Sequence, residues 1–178
     1  MSEAEATVWE GKYLAVKTRG TWEYVSRTRS ISAAVILAVD EGEVLLVEQF
    51  RVPLGRNCLE LPAGLIGDEQ EGEAVQTAAI RELEEETGHR AARMTELGYF
   101  YSSPGMVSEG FCLLRAEGLE RAGEGGGTAD ENIVVHRVPL GRIADFIAAK
   151  RAEGCAIDVR MLLLLASDLL QPASSASC

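Results

Sequence analysis

Residues 61–89 read LPAGLIGDEQEGEAVQTAAIRELEEETGH. Strong helix formers fill residues 73–87, and Gly88 stands just beyond them as a C-cap, so the spacing predicts a helix there. Pro62-Ala63-Gly64 predicts a turn, and the Gly-, Asp- and Glu-rich residues 67–72 predict a loop. At about 100° per residue, with Glu82 at zero, Glu86 falls at about 40° and Glu85 at about 300°. The three carboxylates therefore share one arc. Val75, Ala79 and Leu83 fall at about 20°, about 60° and about 100°, so an apolar stripe abuts the acidic arc while Glu84 points away. Packing that stripe on a sheet carries Glu82, Glu85 and Glu86 to the edge of the buried face. Carboxylates crowded at i, i+3 and i+4 repel one another. A hard divalent cation relieves the crowding, and Mg²⁺ prefers one or two carboxylates plus waters and substrate phosphates. A Glu-rich run alone more often forms a solvated helix face. Arg81 and Gly88 at their fixed offsets favour the metal.

Outward from the helix, the chain alternates β-rich and helical stretches. Residues 7–29 predict one or two strands with a turn at Arg19-Gly20. Residues 31–39 predict a buried strand, Asp40-Glu41-Gly42 a hairpin turn, and residues 43–51 the returning strand. Pro53, Gly55 and Asn57 break the pattern before a short strand at 59–61. Strands are also predicted at 94–101, 111–116 and 133–138, a glycine-rich loop at 118–130, and helices at 143–152 and 159–170. The order predicts an α/β fold, a mixed sheet sandwiched by helices with a small N-terminal β appendage. The expected divisions are 1–30, 31–172 and a flexible tail at 173–178.

The 178 residues carry 17 Lys and Arg against 28 Asp and Glu, a formal net charge of −11. That balance speaks against a nucleic-acid partner and against a polybasic membrane contact. The longest uncharged apolar run, nine residues at 31–39, is far short of the roughly 20 that a spanning helix needs. Residues 1–10 are acidic with no stretch of signal-peptide type, so the expected compartment is the cytoplasm. Cys58, Cys112, Cys155 and Cys178 form no CxxC pair and are read as free thiols.

Gly67, Glu73, Arg81, Glu82, Leu83, Glu85, Glu86 and Gly88 fit the Nudix box, G-x5-E-x7-R-E-U-x-E-E-x-G-U, and the chain thereby resembles the Nudix hydrolases. His89 departs from the aliphatic residue usual at the last position. The first position fits Gly67 by formal spacing, or Gly64 with about three inserted residues. The resemblance implies a Nudix-type α/β/α sandwich and hydrolysis of a nucleoside diphosphate linked to another group, with Mg²⁺ or Mn²⁺. It implies Glu82, Glu86 and the Ala63 carbonyl as metal ligands. Glu85 is implied as a further ligand or base, Arg81 as the group that orients the glutamates, and Glu73 as a secondary ligand or cap.

Features outside the box resemble the ADP-ribose and nucleotide-sugar pyrophosphatases. Glu48-Gln49-Phe50-Arg51 precedes Leu61-Pro62-Ala63-Gly64, and Arg51 suits bidentate contact with a diphosphate. Pro104 follows Gly88 by 16 residues. Glu131, with Asp130 second, suits the general base that such enzymes carry on a mobile loop. Glu109 either binds ribose or flanks a strand, and Trp22 either stacks on the base or packs in a core. His136 is read as structural, and residues 161–165 as core or dimer surface. By the same resemblance residues 1–30 form a homodimer. The loop and the helices after Pro139 also resemble GDP-mannose-type enzymes. The substrate is thus a small nucleotide sugar, with ADP-ribose yielding AMP and ribose 5-phosphate as the leading reading. A nucleoside triphosphatase and a catalytically silent nucleotide-binding module compete with it.

Overall fold

The computed structural model describes residues 4–28, 32–66, 74–128 and 131–170, with only the backbone course for 167–170. Gly67, Glu73, Asp130, Cys178 and the expected tail at 173–178 lie outside the described residues. The centre is β4 (Ser32–Asp40), whose apolar run is buried on both faces. Ala34, Ile36 and Ala38 face one core, while Val35, Leu37 and Val39 face the other. A strand covered on both sides needs such a continuous run, which is why this segment reads as unbroken hydrophobicity.

Before it stand β1 (Glu5–Glu10), β2 (Leu14–Arg19) and β3 (Trp22–Arg27), an antiparallel three-stranded sheet where one or two strands were expected. Two further strands, β5 (Glu43–Arg51) and β6 (Arg56–Glu60), continue the chain after β4. Asn57, expected as a breaker, is inside β6, because the 3-10 turn Val52–Leu54 and left-handed Gly55 complete the reversal before it. The expected turn at Pro62-Ala63-Gly64 is a correction: β7 (Ala63–Ile66) runs antiparallel to β4, pairing Ala34 with Gly64. Glycine stands in this strand for a steric reason. A Cβ on Gly64 would sit 1.9 Å from Cδ of Glu82.

The acidic helix is α1 (Val75–Thr87), followed by β8 (His89–Tyr101) and β9 (Gly110–Arg121). Both strands outrun expectation, since cross-strand pairing continues to His89 with Arg121 and draws residues 118–121 out of the predicted loop. After them come β10 (Val134–Pro139), α2 (Ile143–Ala152), β11 (Ala156–Ile157), a 3-10 turn at Val159–Met161 and α3 (Leu162–Leu170). The main sheet has the order β11-β6-β5-β4-β9-β8, with β10 on β5 and β7 on β4. The β4–β9 and β11–β6 pairs are parallel, so the sheet is mixed. Ala78, Ala79 and Leu83 of α1 seal one core, and Ile143, Ile147 and Met161 seal the other. The result is the expected sandwich. Among the described residues no helix is long and apolar enough to cross a membrane.

The C-terminus of α1 is tied down by the glycine-rich segment, where a flexible loop was expected. Gly88 closes the helix in the left-handed conformation, φ 70°. The N–H groups of Gly126 and Gly127 donate to the carbonyls of Glu86 and Glu85 at 2.8 and 3.0 Å, and those of Ala122 and Gly123 donate to Gly88 at 2.8 and 3.0 Å. The last helical carbonyls, which a free helix end leaves without partners, are thus satisfied from the segment that leads to Glu131. Gly125 has φ +70°, and a Cβ there would meet the carbonyl carbon of Thr87 at 2.5 Å and the nitrogen of Gly88 at 2.6 Å. Nothing lies within 4 Å of a Cβ on Gly123. Gly125→Ala should therefore lower Tm by about 4–10 °C, from a cost of about 2–3 kcal/mol. Gly123→Ala should leave Tm within about 2 °C. Thermal unfolding of both variants checks the pair.

Candidate active site

One cavity of about 590 Å³ opens where β5, β6 and β7 meet α1 and the segment at Glu131. It gathers Arg51, Ala63, Glu82, Glu86, Glu109 and Glu131 from the residues that the sequence singled out. It adds Arg27, Glu60, Asp158 and Arg160, which the sequence reading missed. Alternation along β6 puts Cys58 and Glu60 on the cavity side, while Leu59 packs in the core beneath. Arg27, Asp158 and Arg160 reach the cavity through strand pairing and a turn far along the chain, and no local pattern signals them.

Glu86 is the most buried of the carboxylates on α1. It is 6% exposed, and the Ala63 N–H donates to its Oε2 at 3.0 Å. Burial pushes its carboxyl up to about 8. The Ala63 N–H pulls it back, Glu82 and Glu131 push it further up, and Arg51 offers partial relief. Glu82 lies against Gly64 and pairs with Arg81, Nη2 to Oε1 at 3.0 Å. Arg81 also reaches Glu85, Nη1 to Oε2 at 3.3 Å. Glu85 itself has a half-exposed side chain and does not line the cavity, which separates it from the other two glutamates of its arc. Glu131 is held by Thr128, whose N–H and hydroxyl donate to Oε2 at 2.8 and 3.0 Å.

At the other end Arg27 Nε donates to Glu109 Oε1 at 2.5 Å. This pair fastens β3 to the segment before β9, beside the backbone bonds of Val25 with Met106 and Ser108. Trp22 and Pro104 are placed elsewhere, in a second cavity of about 420 Å³ shared with Lys17, Arg19 and Tyr24. Trp9 and Trp22 are both exposed, so neither packs in a core. His136 bonds to Glu48 at 2.9 Å away from the glutamate-lined cavity, where Lys150 and Asn57 bond to the same carboxylate. Among residues 161–165, Met161 is fully buried, Leu164 and Leu165 pack on the second core, and Leu162 and Leu163 are exposed. Cys58, Cys112 and Cys155 are free thiols, with burial holding Cys58 and Cys112 up at about 12 and about 11.

The cavity sets six carboxylates (Glu60, Glu82, Glu86, Glu109, Glu131, Asp158) against three arginines. It is therefore acidic when all are ionised, and a diphosphate would enter against an unfavourable field. Among the described residues no three His, Cys, Asp or Glu side chains form a ready-made metal cluster. The donor set nonetheless suits a hard cation that keeps waters and takes substrate oxygens, with Glu82 and Glu86 as the carboxylates nearest the helix seam. Glu86 bears on stability as well. Its folded pKa, about 8, lies above the ordinary 4.5, so the folded protein keeps a proton that the unfolded chain gives up. Its contribution is intact below about pH 4.5 and is lost as pH rises through about 8. In chelator, Glu86→Gln should melt within about 1 °C of the parent at pH 4.5 and about 3–10 °C above it at pH 8. A Tm difference that stays constant with pH would contradict the assignment.

A family model of the NUDIX domain matches residues 28–152. The chain is 43% identical over 88 residues to the ADP-ribose pyrophosphatase of Bacillus subtilis, a match covering 49% of this chain and 46% of that protein. It is 34% identical over 162 residues to the GDP-mannose pyrophosphatase of Cronobacter sakazakii, covering 83% and 81%. The mouse ADP-sugar pyrophosphatase is 47% identical over 83 residues, covering 42% and 36%. The chain spans about half or less of the length of these ADP-ribose and ADP-sugar relatives. A solved structure of an ADP compounds hydrolase superposes with TM-score 0.70 at 23% identity, covering 95% of this chain and 93% of that one, a likeness of fold. Members of the matched family generally use a divalent metal ion. The glutamate-bearing helix, the cavity that it borders and the family match to residues 28–152 place the chain in one group: it belongs to the Nudix family.

Proposed function

We propose that the protein hydrolyses a nucleoside diphosphate sugar with the help of a divalent cation, Mg²⁺ or Mn²⁺, and that ADP-ribose is the leading substrate. The observation that carries this reading is one cavity holding Glu82, Glu86 and Glu131 together with Arg51. Glu82, Glu86 and the Ala63 carbonyl would hold the cation. The bound cation supplies charge neutralisation of the diphosphate and lowers the cost of ionising water. Arg51 binds and orients the diphosphate from the β5 end. Arg81 orients Glu82 and Glu85 from behind. Glu131 takes a proton from the attacking water. The water oxygen bonds to one phosphorus as the bridging P–O bond breaks, giving a nucleoside monophosphate and a sugar phosphate.

Glu109 with Arg27 suits the ribose end of the cavity. Trp22 and Pro104 serve the base only if the second cavity is continuous with the bound ligand. A homodimer built on residues 1–30 goes with this reading, supported by exposed Val8, Trp9 and Trp22 on the three-stranded sheet. Residues 31–172 then form the catalytic domain, in the cytoplasm and without a nucleic-acid partner. A specific observation favours a second substrate. The match to the GDP-mannose relative covers 81% of that protein, much more than the match to the ADP-ribose relative covers.

A panel of ADP-ribose, ADP-glucose, GDP-mannose, UDP-glucose and a deoxynucleoside triphosphate, with Mg²⁺ and with chelator, tests the activity. The expected outcome is monophosphate release that vanishes with chelator and is fastest on ADP-ribose. Glu86→Gln should lower kcat by about 10²–10³-fold, the scale seen when one electrostatic contact is removed from a transition state. Wild-type turnover by that variant at saturating Mg²⁺ would contradict the assignment.

A further inference from the structure

Arg51 is one end of a chain of ion pairs. Its Nε and Nη2 donate to Oε1 and Oε2 of Glu60 at 2.6 and 2.8 Å. Nη2 of Arg160 donates to that same Oε2 at 3.1 Å. Arg160 is gripped in turn by Asp158, Nε to Oδ1 at 2.5 Å and Nη2 to Oδ2 at 2.9 Å. Its backbone N–H also donates to Oδ1 at 2.8 Å, and the Asp158 N–H donates to the Leu59 carbonyl at 3.0 Å. The Phe111 ring lies 5.9 Å from the Arg160 guanidinium. The chain thus runs Asp158, Arg160, Glu60, Arg51, from the turn before α3 to the end of β5.

Glu60 in its middle is the most buried member and Arg51 at its end the most exposed. The side chains of Glu60, Arg160 and Arg51 are 3%, 17% and 41% exposed. Of the two arginines only Arg51 is well open to an incoming anion, and its bonds to Glu60 use Nε and Nη2 rather than Nη1. A buried carboxylate paired with one arginine alone would direct its whole field at that partner. Arg160 adds its own positive charge beside Glu60, which offsets the pull of that carboxylate on Arg51 and favours an incoming phosphate, while Asp158 balances part of the Arg160 charge. The fork geometry of both guanidiniums also fixes the plane in which Arg51 lies.

We infer that Arg160 is a positioning residue for Arg51, acting through Glu60, so that the Arg51 guanidinium is preset toward the diphosphate. The inference rests on the diphosphate reading given above. It assigns a role to the segment between β11 and α3, far in sequence from the acidic helix.

A double-mutant cycle tests it with Arg160→Met, Arg51→Lys and the pair. The readouts are KM and kcat for nucleotide-sugar hydrolysis and the Kd of inorganic pyrophosphate by calorimetry in Mg²⁺. Arg160→Met should raise KM and Kd by about 5–20-fold with kcat within about 2-fold, the pattern of lost uniform binding. In the Arg51→Lys background the same change should move either quantity by less than about 2-fold, because its effect passes through Arg51. Arg160→Lys should recover part of the loss, since it restores charge without the fork. Arg160→Gln replaces Met in the cycle if Arg160→Met does not fold. Equal losses in both backgrounds overturn the inference. So does an unchanged KM and Kd with only a lower Tm, or a wild-type protein that binds no pyrophosphate. If no nucleotide sugar is hydrolysed the activity reading fails separately, and the pyrophosphate cycle still decides the role of Arg160.

Discussion

The site depends on a carboxylate that has been pulled out of water. Glu86 sits at the seam between α1 and β7, 6% exposed, with the Ala63 N–H donating to it. A buried carboxylate is costly to ionise, and Glu82 and Glu131 make it costlier. The fold holds it there because Leu83, Ala79 and Ala78 must cover β4 on that side, which fixes the rotation of the helix. Core packing and the acidic site are therefore set by one helical register. Gly64 completes the fit, since only a residue without a Cβ lets Glu82 lie against β7.

Two groups of contacts hold this seam from its ends. The glycine segment donates its N–H groups to the C-terminus of α1, and Thr128 beside it holds Glu131 in place. Glu131 is thus tied through that segment to the helix that bears Glu82 and Glu86. On the opposite wall the ion-pair chain through Glu60 anchors Arg51 to the segment before α3. The cavity is built by contacts among elements distant in sequence, and its excess of carboxylates over arginines suits a hard cation.

What the sequence displayed was what local periodicity encodes. The register of α1, its end at Gly88, and the buried strands β4 and β5 follow from spacing and composition within one segment. Helical spacing put Glu85 in the same arc as Glu82 and Glu86, but an arc does not distinguish the rim from the seam, and Glu85 turns to Arg81 at the rim. The Pro-Ala-Gly stretch reads as a turn because its residues favour one. Pairing with β4 draws Ala63 and Gly64 into a strand instead, and the approach of Glu82 accounts for the glycine. Residues 118–121 became strand through partners on β8. Glu60, Asp158 and Arg160 meet only after β6 and β11 align, a long-range pairing with no local trace.

If Glu86 holds the cation as proposed, its buried proton must leave when the metal binds, and calorimetric titration of Mg²⁺ at pH 7 tests this most directly. Repeating the titration in buffers of different ionisation enthalpy counts the protons released on binding. With a carboxyl near 8 in the metal-free protein, about one proton should leave per site at pH 7 and almost none at about pH 9.5. The release should disappear in Glu86→Gln. Binding of Mg²⁺ at pH 7 with no proton released would contradict the account.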